Sequence, residues 1–163
     1  MGKPIWPRKY EAMYTRINSL SDTILHGVLL AIDPSSGGTS KPGYAIFKAG
    51  KLFRAGEIST IPGKAQIGVR LQHVYDEIDK LLPTPPDLLA IEMIRGKIAH
   101  EYLMFSVGAS MAAGRAPETI EVPTNMWKAL AKVTPDYTKA NDMDSIMIGK
   151  CLIEYCLSKE KIT

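Results

Sequence analysis

The sequence has 163 residues, of which 45% are hydrophobic and 23% are charged, and its net charge is +3. These values are typical of a globular protein with one domain and a sizeable core. No apolar run reaches the roughly 18 residues that a membrane-spanning helix needs. The most apolar stretch, residues 24–32, lacks a small-residue cleavage site and runs into Asp33, so we expect no signal peptide and a cytoplasmic location.

The sequence contains two cysteines, Cys151 and Cys156, which lie five residues apart in a helical pattern. Neither has Cys or His neighbours at the spacing of a metal site. We therefore expect neither a disulfide nor a zinc site, and we interpret both cysteines as small, buried apolar residues.

Residues 1–22 are predicted to be an N-terminal extension of a domain that spans residues 23–163. Pro4 and Pro7 interrupt regular structure early, and residues 10–20 have the apolar spacing of a short helix. The extension is mildly basic. We interpret it as a helix packed on the domain or a frayed terminus rather than as a DNA-binding arm.

Three strands are predicted next. Residues 28–32 form a continuous apolar run, which is typical of a central strand that is buried on both faces. Residues 44–48 and 51–58 are the second and third strands. The tight turn at Ala49 and Gly50 separates them and predicts an antiparallel hairpin.

The second half of the sequence alternates helices with strands. Residues 63–82 have apolar side chains at steps of three and four, which predicts an amphipathic helix. The remaining predicted elements are a strand at 87–91, a helix at 97–115, a strand at 118–122, a short helix at 123–130 and a final helix from 141 or 142 to about 158. This order predicts an α/β fold whose sheet combines an antiparallel hairpin with parallel strands.

Three carboxylates follow or open strongly apolar elements. Asp33 ends the strand at 28–32, Glu92 ends the strand at 87–91, and Asp144 lies in the first turn of the last helix. A charge in such a place is costly to desolvate unless it is paired or binds a metal. Acids at strand ends and at a helix start meet at the sheet edge where α/β proteins usually bind ligands, and divalent cations relieve their repulsion.

Each acid alone has a simpler interpretation. An Asp before Pro, as at Asp33, is a common turn residue, and Asp142 is well placed to cap the last helix. The three positions together carry more weight than each one separately. The histidines offer no competing site because they are scattered along the chain: His26, His73 and His100.

The charge distribution fits an acidic site in a basic protein. If Asp33, Glu92, Asp142 and Asp144 converge, 13 acids remain elsewhere against 20 Lys and Arg, so the rest of the molecule carries +7. This pattern suits a nuclease, because phosphates are attracted while the acids hold cations.

Four short segments resemble, in order and spacing, the motifs of RuvC-type Holliday junction resolvases. They are VLLAIDPS at 28–35 followed by GYAI at 43–46, LLAIE at 88–92, EVPTNMWK at 121–128 and NDMDSIMIG at 141–149. The match covers roughly residues 28–157. It implies the ribonuclease H-like fold, a mixed sheet of an antiparallel hairpin and parallel strands that is flanked by helices.

The resemblance implies an endonuclease that resolves four-way junctions in branched DNA with two Mg²⁺ ions, for which Mn²⁺ substitutes. Asp33, Glu92 and Asp144 would be catalytic metal ligands, with Asp142 as the fourth. The family commonly has two acids three positions apart at this point, but here Asn141 stands three before Asp144. Positions two apart do not share a helical face, so Asp142 binds metal only at or before the helix start. Asn141 is the alternative fourth ligand.

The resemblance also implies DNA contacts and a homodimer. Arg95 and Lys97 follow Glu92 and are expected to contact phosphates. Three lysines approach the same side in the family's layout, although a solvated surface is the simpler interpretation of each: Lys128, Lys132 and Lys139. The helix at 97–115 is rich in small residues and would form the dimer interface, unless those residues pack on the chain's own sheet.

Two alternatives keep the same fold. The first is a monomeric ribonuclease H-like nuclease that acts on RNA or RNA–DNA hybrids, and the second is a catalytically silent nucleic-acid-binding module. Asp33 with Gly37, Gly38 and Thr39 would also suit an ATP-binding domain of the actin or hexokinase type, but that fold needs two such domains and a longer chain. We therefore expect no nucleotide cofactor and no membrane partner.

Overall fold

The structure of the chain is a computed structural model that describes residues 2–33, 41–59, 65–93 and 118–160. The predicted helix at 97–115, the dimer interface assigned to it, Arg95 and Lys97 lie outside these ranges. In chain order the described elements are α1 Glu11–Ser19, α2 Ser21–His26, β1 Val28–Asp33, β2 Gly43–Lys48, β3 Lys51–Glu57, α3 Ile67–Leu81, β4 Leu88–Glu92, β5 Glu118–Val122, α4 Thr124–Lys132 and α5 Asn141–Glu160.

The five strands form one mixed sheet in the order β3-β2-β1-β4-β5. The predicted hairpin is present, with β2 antiparallel to both β1 and β3. On the other side, β1, β4 and β5 run parallel. The continuous apolar run of the first strand is explained by its central place, because β1 is covered on both faces. The predicted α/β class with an antiparallel hairpin and parallel strands is confirmed.

Alternate residues of the central strands pack into two separate hydrophobic cores, one on each face of the sheet. Leu29 and Ala31 point to the face that α1, α2, α4 and α5 cover. Leu30 and Ile32 point to the opposite face, where Val74 of α3 packs with them. This alternation follows from the two-residue period of a strand. It also fixes the face on which the residue after Ile32 must lie.

Helix α5 lies close against the sheet because it has a glycine at the contact. A Cβ built on Gly149 would lie 2.3 Å from Cε2 of Phe47 and 3.2 Å from the Cβ of Ala31. The same helix carries the two cysteines, which are buried and form no disulfide. Burial raises the pKa of both thiols, that of Cys156 to about 11. The interpretation of Cys151 and Cys156 as buried apolar residues is confirmed.

The N-terminal segment packs on the α5 face of the domain. Ile17 of α1 is fully buried in that core. The ring of Tyr155 in α5 stacks on Tyr14 at 4.7 Å between centroids and meets Trp6 edge-on at 5.9 Å. Burial, followed by the nearby Tyr155, raises the pKa of Tyr14 to about 12. A domain boundary at residue 22 stays a prediction, but these contacts join the segment to the main core.

Residues 21–26 form a short helix, α2, that the sequence did not predict. The apolar run at 24–32 is divided at Gly27, where the chain turns into β1. Asp87, 59 positions further along, accepts a hydrogen bond of 2.8 Å from the amide of Val28. A Cβ on Gly27 would lie 2.8 Å from the same carboxylate oxygen. The turn therefore depends on a distant residue that no local pattern reveals.

Within the described ranges, no helix has both the length and the apolar character that a membrane crossing requires.

Candidate active site at the carboxyl ends of the central strands

Asp33 and Glu92 end two neighbouring parallel strands. The register pairs Ile32 with Ile91, so the residues that follow them lie side by side at the same edge of the sheet. Ala31 and Ala90, two positions earlier, both belong to the α5-side core. The two-residue period therefore places both carboxylates on the α5 face. They contact each other through a side-chain hydrogen bond.

Asp33 is a buried acid, with 6% of its surface exposed. Its pKa is raised to about 9, mainly by burial, then by the hydrogen bond to Glu92 and by the charges of Glu92 and Asp144. A carboxyl group with this pKa holds its proton at neutral pH and donates it to its neighbour.

Asp144 reaches the same place from the first turn of α5. Burial raises its pKa, a hydrogen bond from the Tyr137 hydroxyl lowers it, and the charge of Glu92 raises it again. The net direction is upward. Burial and the bond to Asp144 also raise the pKa of Tyr137, which senses the charge of Asp33 as well. Three acids from three elements therefore act on one another electrostatically.

Glu92 and Asp144 each accept a hydrogen bond from a neutral hydroxyl group that was not predicted from the sequence. The Thr124 hydroxyl, at the start of α4, donates a hydrogen bond of 2.6 Å to Oε1 of Glu92. Tyr137, in the segment between α4 and α5, donates to Oδ1 of Asp144. Thr124 directly follows β5 and Pro123, and a hydroxyl residue at the end of a strand could have been predicted to face the acids. Tyr137 had no such signal, because its segment has no periodic pattern.

Two of the predicted DNA-contacting lysines lie beside the acids. The charges of Lys128 and Lys139 both lower the pKa of Asp144, and both side chains are exposed. Lys132 is also exposed and lies one helical turn from Lys128 on α4. A rim of cations therefore borders the acidic cluster on the side of α4 and the loop that follows it.

Asp142 lies inside the first turn of α5, which begins at Asn141. Its backbone carbonyl accepts a hydrogen bond of 2.7 Å from the Ser145 hydroxyl. Within the described part of the chain, the charges that shift the pKa of Asp33 and Asp144 come from other groups. Two positions apart on a helix, Asp142 and Asp144 point to different sides. Both Asp142 and Asp144 stay predicted ligands, and Asp144 is the one whose pKa the charge of Glu92 raises.

The donor set fits a divalent cation by its chemistry. Hard cations such as Mg²⁺ take carboxylate oxygens, and a bound cation offsets both the burial and the repulsion that raise the pKa of Asp33 and Asp144. In the described ranges, however, no group of three or more His, Cys, Asp or Glu side chains is arranged so that it could hold a metal ion. Asp33 and Glu92 form the contacting pair, and Asp144, held by Tyr137, is the third acid of an open arrangement.

The sheet order and the position of the acids define a protein with the ribonuclease H-like fold. Among solved structures, the chain is similar to T. thermophilus RuvC in complex with a Holliday junction substrate, with 15% identity, a TM-score of 0.60, and coverage of 83% of this chain and 96% of that chain. The structure of Thermus thermophilus RuvC gives 13% identity, a TM-score of 0.55, and coverage of 82% and 96%.

The fowlpox virus Holliday junction resolvase also matches, with 14% identity, coverage of 80% and 99%, and a TM-score of 0.44. No family model matches the sequence, and no curated protein matches it significantly. At 13% and 15% identity the two RuvC structures show the fold. The fold that the sequence motifs implied is confirmed.

Proposed function

We propose that the chain is a metal-dependent endonuclease that cuts branched DNA, with four-way junctions as its substrate. The observation that carries the proposal is that Asp33 and Asp144, at one edge of a ribonuclease H-like sheet, lie close enough to Glu92 for its charge to add to the effect of burial on their pKa values. The motif order in the sequence supports the resolvase type, as does the similarity to a RuvC structure that holds a Holliday junction substrate. A cytoplasmic location is the expectation.

The residues that would hold the metal are Asp33, Glu92 and Asp144, with Asp142 as a further ligand. Two bound Mg²⁺ ions, or Mn²⁺ in their place, would supply a low-pKa water as nucleophile and neutralise charge on the leaving oxygen. Asp33 has the central place, because it contacts Glu92 and senses Asp144. It must release its proton before both of its oxygens can act as ligands.

The neighbouring residues orient the acids and attract the substrate. Thr124 and Tyr137 hold Glu92 and Asp144 in place through one hydrogen bond each. Lys128, Lys132 and Lys139 would bind phosphates of the DNA as it approaches, as would Arg95 and Lys97. Two such sites in a homodimer would make the paired cuts that resolve a junction.

The first experiment is a cleavage assay on a synthetic four-way DNA junction, with Mg²⁺ and with chelator. We expect paired, symmetric nicks that need Mg²⁺. Asp33→Asn should reduce cutting more than about 100-fold, because even changes around metal ligands cost about 10- to 100-fold. Asp76→Asn is the matched control, since Asp76 is exposed on α3 and should cut like the wild type.

The other outcomes separate the alternatives. Mg²⁺-dependent cutting of an RNA–DNA hybrid, with no cutting of the junction, would support the acidic site as catalytic but identify the hybrid as the substrate. Tight junction binding without cutting of either substrate would identify a silent binding module. Equal activity of Asp33→Asn and the wild type would remove the acidic site from the reaction.

A further inference from the structure

The tip of the β2–β3 hairpin carries an aromatic ring in water among cations. Phe53 has 62% of its surface exposed. Three basic side chains near it are exposed as well: Lys48, Lys51 and Arg54. The Nζ of Lys48 lies 3.8 Å from the centre of the Phe53 ring, a cation–π contact. Exposing a ring of this size to water costs hydrophobic free energy, and exposed apolar groups of this kind often mark a binding site.

A β-bulge places the three cations on one face of the hairpin. The register pairs Ile46 with Arg54 but Phe47 with Leu52, so Phe53 is the extra residue on β3. Directly paired residues share a face, and Lys51 pairs with Lys48. Lys48 follows Ile46 by two positions and lies on the same side. Without the bulge, Lys51 and Arg54, three apart, would point to opposite faces.

The two strands of the hairpin contribute cations and no acids to this face. Residues 43–56 contain no Asp or Glu. In the part of the chain that the structure describes, no ion pair involves Lys48, Lys51 or Arg54. Among the described strands, β3 lies at the edge of the sheet, so no described strand pairs with its outer side at the bulge. Three cations around an exposed ring have the chemistry that binds phosphates together with an unstacked base.

The hairpin tip is remote from the acidic site. Lys48 pairs with Val28 at the start of β1, whereas Asp33 ends β1 and pairs with Gly43. Five residues of strand separate the two levels by about 17 Å. The cations also face the α3 side, while Asp33 faces α5. The tip therefore does not contact the acids.

We propose that the bulged tip of the β2–β3 hairpin is a second nucleic-acid contact, which binds a single strand. The base of an unpaired nucleotide stacks on Phe53, and the adjacent phosphates bind Lys48, Lys51 and Arg54. A single strand is the partner that this surface fits. The bases of an intact duplex are already stacked on one another, so they have no free face to stack on the ring of Phe53. The contact does not depend on metal or on the acids.

The stacking part is tested by the fluorescence anisotropy of a labelled oligothymidine with the full chain in chelator. Phe53→Ala should weaken binding about tenfold, because stacking of one base on an aromatic ring contributes at about that level. Phe53→Trp keeps a ring and should bind at least as well as the wild type. Ile5→Ala is the control, since Ile5 is an apolar residue with 88% exposure elsewhere on the chain.

The electrostatic part is tested by the salt dependence of the same binding. Replacing Lys48, Lys51 and Arg54 by Gln should reduce the slope of log K against log salt by about 2, since each phosphate contact on a single strand contributes about 0.7. The control replaces three exposed cations of the N-terminal segment by Gln: Lys3, Arg8 and Lys9. That segment packs at the β5 side of the sheet through Arg16 and Glu118.

Wild-type affinity of Phe53→Ala, or equal loss of slope in both triple variants, would overturn the proposal. So would a change of oligomeric state in Phe53→Ala, measured by analytical ultracentrifugation, because the ring would then belong to a subunit interface. Binding is measured without cutting. A failure of this proposal and a failure of the nuclease assignment are therefore separate results.

Discussion

At Asp33, a buried carboxyl group with a pKa of about 9 ties the stability of the metal-free protein to pH. In the unfolded chain the same group ionises near pH 4. The contribution of Asp33 to stability is therefore complete below about pH 4 and is lost as the pH rises toward about 9. In urea unfolding with chelator, we expect the wild type to weaken between about pH 5 and pH 9.

Asp33→Asn should show a flatter pH profile than the wild type and should be the more stable of the two at about pH 8, since it removes a buried ionisable group that two other acids repel. Asp76→Asn again serves as the control. Parallel profiles for Asp33→Asn and the wild type would contradict the raised pKa.

The hydroxyl groups of Thr124 and Tyr137 should matter for metal affinity. Thr124→Val and Tyr137→Phe each remove one donor to a carboxylate, and partners of this kind typically change metal affinity about 10- to 100-fold. We expect each to weaken Mg²⁺ binding in calorimetry by about tenfold. Thr124→Ser keeps the donor and should bind like the wild type. If Ser and Val at this position bind Mg²⁺ equally, the hydrogen bond has no positioning role.

Residue by residue, the sequence predicted the acids better than their supports. The acids stand at the ends of apolar elements: Asp33, Glu92 and Asp144. The parallel register of β1 and β4 then places Asp33 beside Glu92. Their role as ligands stays a prediction. The contact of Tyr137 with Asp144 depends on the path of an irregular segment. A sequence pattern carries no information on such a path.

The packing of α5 on the sheet should be sensitive at Gly149. A methyl group there would overlap the ring of Phe47 and press on Ala31. We expect Gly149→Ala to lower the free energy of unfolding by about 1–3 kcal/mol, the usual cost of overpacking a core. Urea denaturation measures the effect.

Gly68 is the matched control within a helix. A Cβ at Gly68 in α3 would meet nothing within 4 Å. Gly68→Ala should therefore raise the free energy of unfolding by about 0.5–1 kcal/mol, because alanine is the better helix former. Equal effects at Gly149 and Gly68 would rule out the close helix–sheet contact.

Among the elements, those with a long or clean pattern were predicted within a few residues. The strands at 28–32, 44–48 and 118–122 and the final helix are examples. The short helix α2 was missed, because six residues do not show a helical period and its end at Gly27 is set by the distant Asp87. The bulge at Phe53 was missed as well, because it is a property of the pairing of β3 with β2 rather than of either strand.

For the whole molecule, the N-terminal segment should be required for stability. Removal of residues 1–22 would uncover Tyr155 on α5 and delete the fully buried Ile17. Loss of one large buried side chain alone typically costs about 2–5 kcal/mol, so we expect a strongly destabilised or unfolded chain in thermal denaturation. Arg16→Ala breaks only exposed contacts to Glu118 and Thr119 and should cost less than about 1 kcal/mol. A truncated chain as stable as the full one would support the predicted boundary at residue 22.

The close packing of α5 on the sheet at Gly149 has a consequence for the proposed metal site. Asp144 is rooted in this helix, five positions before Gly149, whereas Asp33 and Glu92 are rooted in the sheet. The distance between α5 and the sheet therefore sets the distance between Asp144 and the other two acids. Mg²⁺ demands a tighter and more regular shell of oxygens than Ca²⁺. If the three acids bind the proposed ions, the preference for small over large divalent ions would depend partly on the core packing at Gly149, a residue that is not itself a ligand.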